Sequence, residues 1–192
     1  MLTERIMSAF TFKKEVYADV EKDKAFTSTA WLIVVVVAFL SQLGAQSSGG
    51  FFKWIIAAII GTVFTVAGFA LAALIISWAG RQFFSADVDF EEMVRTLGLA
   101  YVWNIVGVIG IVGLISPAMV CVLSPIQIIA GVLGFVSSLI AAKEALDLEW
   151  VQTIITVIIG AVAQFIVMAV AGVFLGILGL TSAGVGNALL GG

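Results

Sequence analysis

The chain contains no histidine, one cysteine, two prolines and few charges: 11% of its residues are charged and 62% are hydrophobic. Soluble domains carry roughly 25% charged and about 45–50% apolar residues, so water is not the main solvent of this one. Without histidine a Cys/His zinc site is excluded, and the lone Cys121 has no internal disulfide partner. The remaining charges are clustered. None falls between Lys24 and Lys53, Lys53 and Arg81, Arg95 and Lys143, or after Glu149. About 20 apolar residues, rising about 1.5 Å each, cross a hydrocarbon core of about 30 Å, so every one of these gaps holds at least one membrane span. The net charge of −3 only averages over these clusters and points to no acidic, basic or nucleic-acid partner. The mixed-charge start also lacks the short positive region of a secretory signal, so the first apolar run is expected to be retained as a membrane helix.

Residues Met1 to Lys24 hold ten charges of both signs, interleaved with Leu2, Ile6, Phe10, Phe12, Val16, Tyr17 and Val20 at helical spacing. This pattern predicts an amphipathic helix, broken near Thr11. It lies either along the membrane surface or against the protein's own cytosolic side. Spans are expected near 27–45, 52–79, 97–115, 126–142 and 151–176, with Trp31, Trp54 and Trp78 where aromatic belts sit. The uncharged stretch from Thr96 to Ala142 is too long for one helix, and its two prolines divide it. Ser116-Pro117 should stop one helix, because the residue before proline is pushed out of α space. Ser124-Pro125 reads as the N-cap and first residue of the next. The expected fold is an all-α integral membrane protein, a bundle of five transmembrane helices with short interfacial amphipathic helices on the cytosolic side. Residues 1–24 form a cytosolic segment, 25–180 the membrane domain and 181–192 a glycine-rich tail. Eight of the nine basic residues and all twelve carboxylates then share one face, leaving Lys53 on the other. The positive-inside rule makes that face, with the N-terminus, cytosolic and puts the C-terminus outside.

On the charged face, Asp87, Asp89, Glu91, Glu92, Arg95 and Lys143 form a candidate interaction surface. Asp89 and Glu92 have the spacing of a capping box, and Phe90, Met93, Val94 and Leu97 repeat along one helical face. They predict a short interfacial helix feeding the third span. A divalent-cation site on these acids is the sharper alternative. The turn glycine and distal glutamate of a calcium loop are missing, however, and carboxylates are favoured at a helix N-terminus without any ligand. Arg95 is expected to snorkel to the interface, a role lysine would fill equally. Within the spans, Asn104, Gln127 and Gln164 are candidate polar contacts, either hydrogen bonds between helices or the lining of a transport path. Gly107, Gly110 and Gly113 lack the strand and loop of a nucleotide motif and point to close helix packing. Gly172-x-x-x-Gly176 has the spacing of a helix contact, internal or between copies. Only Cys121 and Tyr101 among the titratable groups lie outside surface segments. Neither a nucleophile with its base, a metal set nor an intramembrane acid is in place, so no enzyme, cofactor or proton pump is expected.

Gly80, Phe90, Arg95 and Leu97-Gly98-x-Ala100-Tyr101 resemble the stretch leading into the third span of Yip-domain proteins, the Rab-interacting membrane family. Lys143-Glu-Ala-Leu-Asp147, followed by Trp150, is similar to that family's basic turn before its last helix. Val102-Trp103 stands where the family commonly has a proline. The short segment before the first span looks like the compact prokaryotic branch, for which the resemblance implies a fold and a plasma-membrane location with no defined biochemistry. Rab GTPase binding belongs to longer eukaryotic members and is not carried over. The expected function is a non-enzymatic scaffold or adaptor that organises lipids, membrane-protein partners or its own copies through the cytosolic face. A channel or transporter and an accessory subunit of a larger complex are the competing readings.

Overall fold

A computed structural model describes residues 2–45 and 50–180; most of the expected turn after the first span, and the glycine-rich tail, lie outside them. Two short helices, α1 (Leu2–Phe10) and α2 (Lys14–Lys22), precede the long ones. These are α3 (Phe26–Ala45), α4 (Phe51–Phe84), α5 (Phe90–Ala100) running into a 3₁₀ segment (Tyr101–Leu114), α6 (Pro117–Leu146) and α7 (Trp150–Ile177). Among the described residues there is no strand, and five helical stretches are long and apolar enough to cross a bilayer. The chain is thus a multi-pass helical membrane protein.

The packing inverts the pattern of a water-soluble bundle. Bulky groups such as Ile59, Val63, Ile128, Phe165 and Ile177 are exposed, while α4 buries Ala57, Ala58, Gly61, Gly68, Ala72, Ala73 and Gly80. Lipid tails are as apolar as leucine, so these helices associate by close van der Waals approach, which small residues allow. Against α7, a Cβ on Gly160 would strike the Ile76 side chain. Across the α3 contact, one on Gly107 would strike Ser41 and one on Gly110 the backbone of Gly44. Three residues per turn align positions i and i+3 in a 3₁₀ helix, so Gly107 and Gly110 present one smooth face to α3. Gly172 behaves differently from the packing glycines: nothing lies within 4 Å of where its Cβ would be, so no internal neighbour accounts for it.

Two local expectations change. The segment before Ser116-Pro117 stops at Leu114 as expected, but the next helix, α6, starts at Pro117 itself, with Ser116 as its N-cap residue, and Pro125 lies inside it. A proline there cannot donate to the carbonyl four residues back. The Ser124 hydroxyl donates to that Cys121 carbonyl at 3.1 Å instead, which keeps the backbone satisfied. The expected interfacial helix, α5, is buried from Met93 to Ala100 on all sides, because α2, α3, α4 and α6 all pack around it. The N-terminal segment breaks at Phe12, whose φ is 57°, and α2 packs on the bundle through Val16, Tyr17 and Val20. The Tyr17 hydroxyl, fully buried, lies 2.7 Å from the Ser137 Oγ of α6.

Candidate functional site

The start of α5 is built as its sequence predicts. The Glu92 N–H donates to Asp89 Oδ1 at 2.7 Å, and the Asp89 N–H donates to Glu92 Oε2 at 2.8 Å. One turn on, Arg95 is only 1% exposed. Its Nε and Nη2 both donate to the Glu21 carbonyl of α2, Nε at 2.8 Å, and Nη1 donates to Thr27 Oγ1 of α3 at 3.2 Å. The Glu91 and Glu92 carboxylates approach the same guanidinium at 3.8 and 4.0 Å. The snorkelling expected of Arg95 is therefore corrected. Its charge is enclosed, and the planar fork joins three helices in a way that a single ammonium would not.

Around this joint the charges are paired or tuned. Arg5 meets Asp23 at 2.8 Å and lies 5.0 Å from the centre of the Phe26 ring. The hydrogen bond from Arg5 holds the Asp23 carboxyl below its ordinary range. Partial burial pushes the Glu21 carboxyl up, helped by the negative charges of Glu92 and Asp147. Arg95 opposes this only weakly, because it bonds the Glu21 carbonyl rather than the carboxylate. Asp87, Asp89 and Glu91 are exposed, and Lys143 is half-buried with its ammonium 5.9 Å from the Trp150 ring. The six candidate residues thus divide. Asp89, Glu92 and Arg95 build the joint with Glu91 at its rim, while Asp87 and Lys143 make no contact with the Arg95 guanidinium. No group of three His, Cys, Asp or Glu is gathered for a metal among the described residues.

Asn104 and Gln164 line one cavity of about 180 Å³ between α4, the 3₁₀ segment, α6 and α7, together with Tyr101 and Ser138. Gln127 is not part of it and lies beside Gly110. Asn104 Nδ2 donates to the Tyr101 carbonyl at 3.2 Å, within its own segment. None of these three amides makes the expected hydrogen bond between helices among the described residues. That bond is made by Gln42 of α3, which donates to Thr65 of α4 at 2.9 Å, both buried. Sequence reasoning missed Gln42 because it sits near the end of its span, where a polar residue passes for an interfacial one. Trp103 stacks on Phe12 at 5.4 Å and meets Phe10 edge-on at 4.9 Å. It pins the start of the chain over the third span.

No curated protein and no solved structure matches the chain. The model of the Yip1 domain matches residues 7–172, from α1 through most of α7. With its five apolar spans and the match over most of its length, the chain belongs to the Yip1 domain family.

Proposed function

We propose that the protein is a non-enzymatic membrane scaffold or adaptor whose charged end is a recognition surface for membrane-protein partners or further copies of itself. The observation that carries this reading is the Arg95 joint, which fixes α2 to α3 and α5 and has the exposed Glu91 at its rim, with Asp87 exposed just ahead of α5. A surface held in one shape meets a partner without the entropic cost of ordering a loose segment. The eight-to-one distribution of basic residues supports a cytosolic location for this end, with the C-terminus outside.

Photo-crosslinking side chains placed at 87 and 91 should give discrete protein adducts in native membranes, and a probe at Phe52 should not. The adducts of the 87 probe should disappear on Glu91→Lys, and those of the 91 probe on Asp87→Lys. A correctly inserted protein whose 87 and 91 probes give no more adducts than the 52 probe would rule the reading out. A solute path is the second reading, favoured by Asn104 and Gln164 facing one cavity. It requires solute flux across reconstituted vesicles.

A further inference from the structure

We propose that the cavity between α4, the 3₁₀ segment, α6 and α7 binds a neutral, hydroxyl-bearing lipid of the diacylglycerol type. Its free hydroxyl would lie among Tyr101, Asn104 and Gln164, and its tails would remain in the bilayer.

The polar groups come first. Tyr101 and Gln164 both line the cavity, and neither the tyrosine hydroxyl nor the glutamine amide has a hydrogen-bond partner among the described residues. Asn104 spends one donor on a local carbonyl, which leaves its side-chain oxygen open. Unpaired amides and hydroxyls at membrane depth are unfavourable, and these belong to residues that line one space. A hydroxyl, which both donates and accepts, matches a phenol beside two amides. No Lys, Arg, Asp or Glu lines the cavity, so a phosphate headgroup or a metal cation has no counter-charge there.

Access and size narrow the class further. Gly131 and Phe135 of α6 and Ala161 of α7 line the cavity and are also exposed, so it opens sideways between these helices into the lipid. Phe69 and Val157 supply an apolar wall. The volume of about 180 Å³ equals about six waters at roughly 30 Å³ each, enough for a glycerol hydroxyl and its first carbons but not for two acyl chains.

The test uses the full chain in phosphatidylcholine vesicles containing a diazirine-bearing diacylglycerol. Labelling should concentrate on α6 near Gly131 and α7 near Gln164, and unlabelled dioleoylglycerol should compete where phosphatidic acid does not. Nothing lies within 4 Å of the position a Cβ would take at Gly131, so Gly131→Leu fills the mouth without a backbone clash and should abolish this labelling. Tyr101→Phe removes only the hydroxyl and should weaken competition about fivefold, the effect of one neutral hydrogen bond. If Gly131→Leu fails to insert, the tyrosine variant decides alone, and wild-type competition in it overturns the proposal. Even labelling of all outer faces would mean ordinary boundary lipid, equal competition by phosphatidic acid a different headgroup chemistry, and a site filled by water alone would show no competable label. Each of these outcomes also overturns it.

Discussion

Lysine at position 95 would offer the Glu21 carbonyl one ammonium in place of two fork nitrogens, and Thr27 would lose its donor. Hydrogen bonds involving charged groups are each worth about 1.5–3 kcal/mol, so Arg95→Lys should destabilise the protein by about 2 kcal/mol or more. Thermal unfolding in detergent measures this, and trypsin should cut faster after Lys22 and Lys24 as α2 loosens. A variant as stable and as protected as wild type would show that the fork is dispensable. Neighbouring carboxyls give the pH dependence two signs. The Asp23 pKa is lowered by Arg5, so its stabilising contribution is present above its ordinary value of 3.8 and is lost as pH falls through the lowered one. Glu21 is raised, so its contribution is complete below its ordinary value of 4.5 and is lost as pH rises through the raised one. Glu21→Gln should therefore be more stable than wild type at neutral pH, and the gain should vanish in acid where the glutamate is itself protonated. Parallel unfolding curves across pH 4–7 make the comparison.

Within the elements, the Ser124–Pro125 pair is a matched substitution of one hydrogen bond for another. Ser124→Ala strips the Cys121 carbonyl of its partner, and Pro125→Ala restores a backbone N–H for it. The double variant should recover most of a loss near the roughly 0.6 kcal/mol typical of polar contacts in membranes, a coupling visible in a double-mutant cycle. Additive losses would mean the two residues act separately. The glycine face should be less forgiving. Gly107→Leu drives a side chain into Ser41, and overpacking of this kind costs typically about 1–3 kcal/mol, to be read as a lowered unfolding midpoint. These elements also divide what the sequence could reveal from what it could not. The five spans were legible because an apolar, charge-free run of membrane length can bury itself only in a bilayer or in a core far larger than this chain could build. The capping box at Asp89 was legible because both of its bonds close within one turn. The interior position of Pro125 depended on a hydroxyl reaching a carbonyl inside the same helix, which residue types alone leave undecided. Arg95 depended on a backbone carbonyl 74 residues away, and Tyr17 on a hydroxyl 120 residues away, and no short-range pattern encodes either.

For the whole molecule, orientation is the first quantity to measure. In a Cys121→Ser background, cysteines at Asp87 and Glu144 should be shielded from an impermeant thiol reagent in intact cells, and one at Phe52 should react. Labelling of the Asp87 site from outside would reverse the assignment of the charged end. The connections across that end also set an order of events during synthesis. Glu21 must wait for Arg95, 74 residues later, which at about 5–20 residues per second is roughly 4–15 s of translation. Tyr17 waits longer for Ser137, 120 residues on. The N-terminal helices therefore emerge well before either of their anchors and are fastened in two steps, first by the third span and then by the fourth. A nascent chain stalled before residue 95 should still offer its first two dozen residues to a protease or an insertion factor, and one stalled after residue 146 should not.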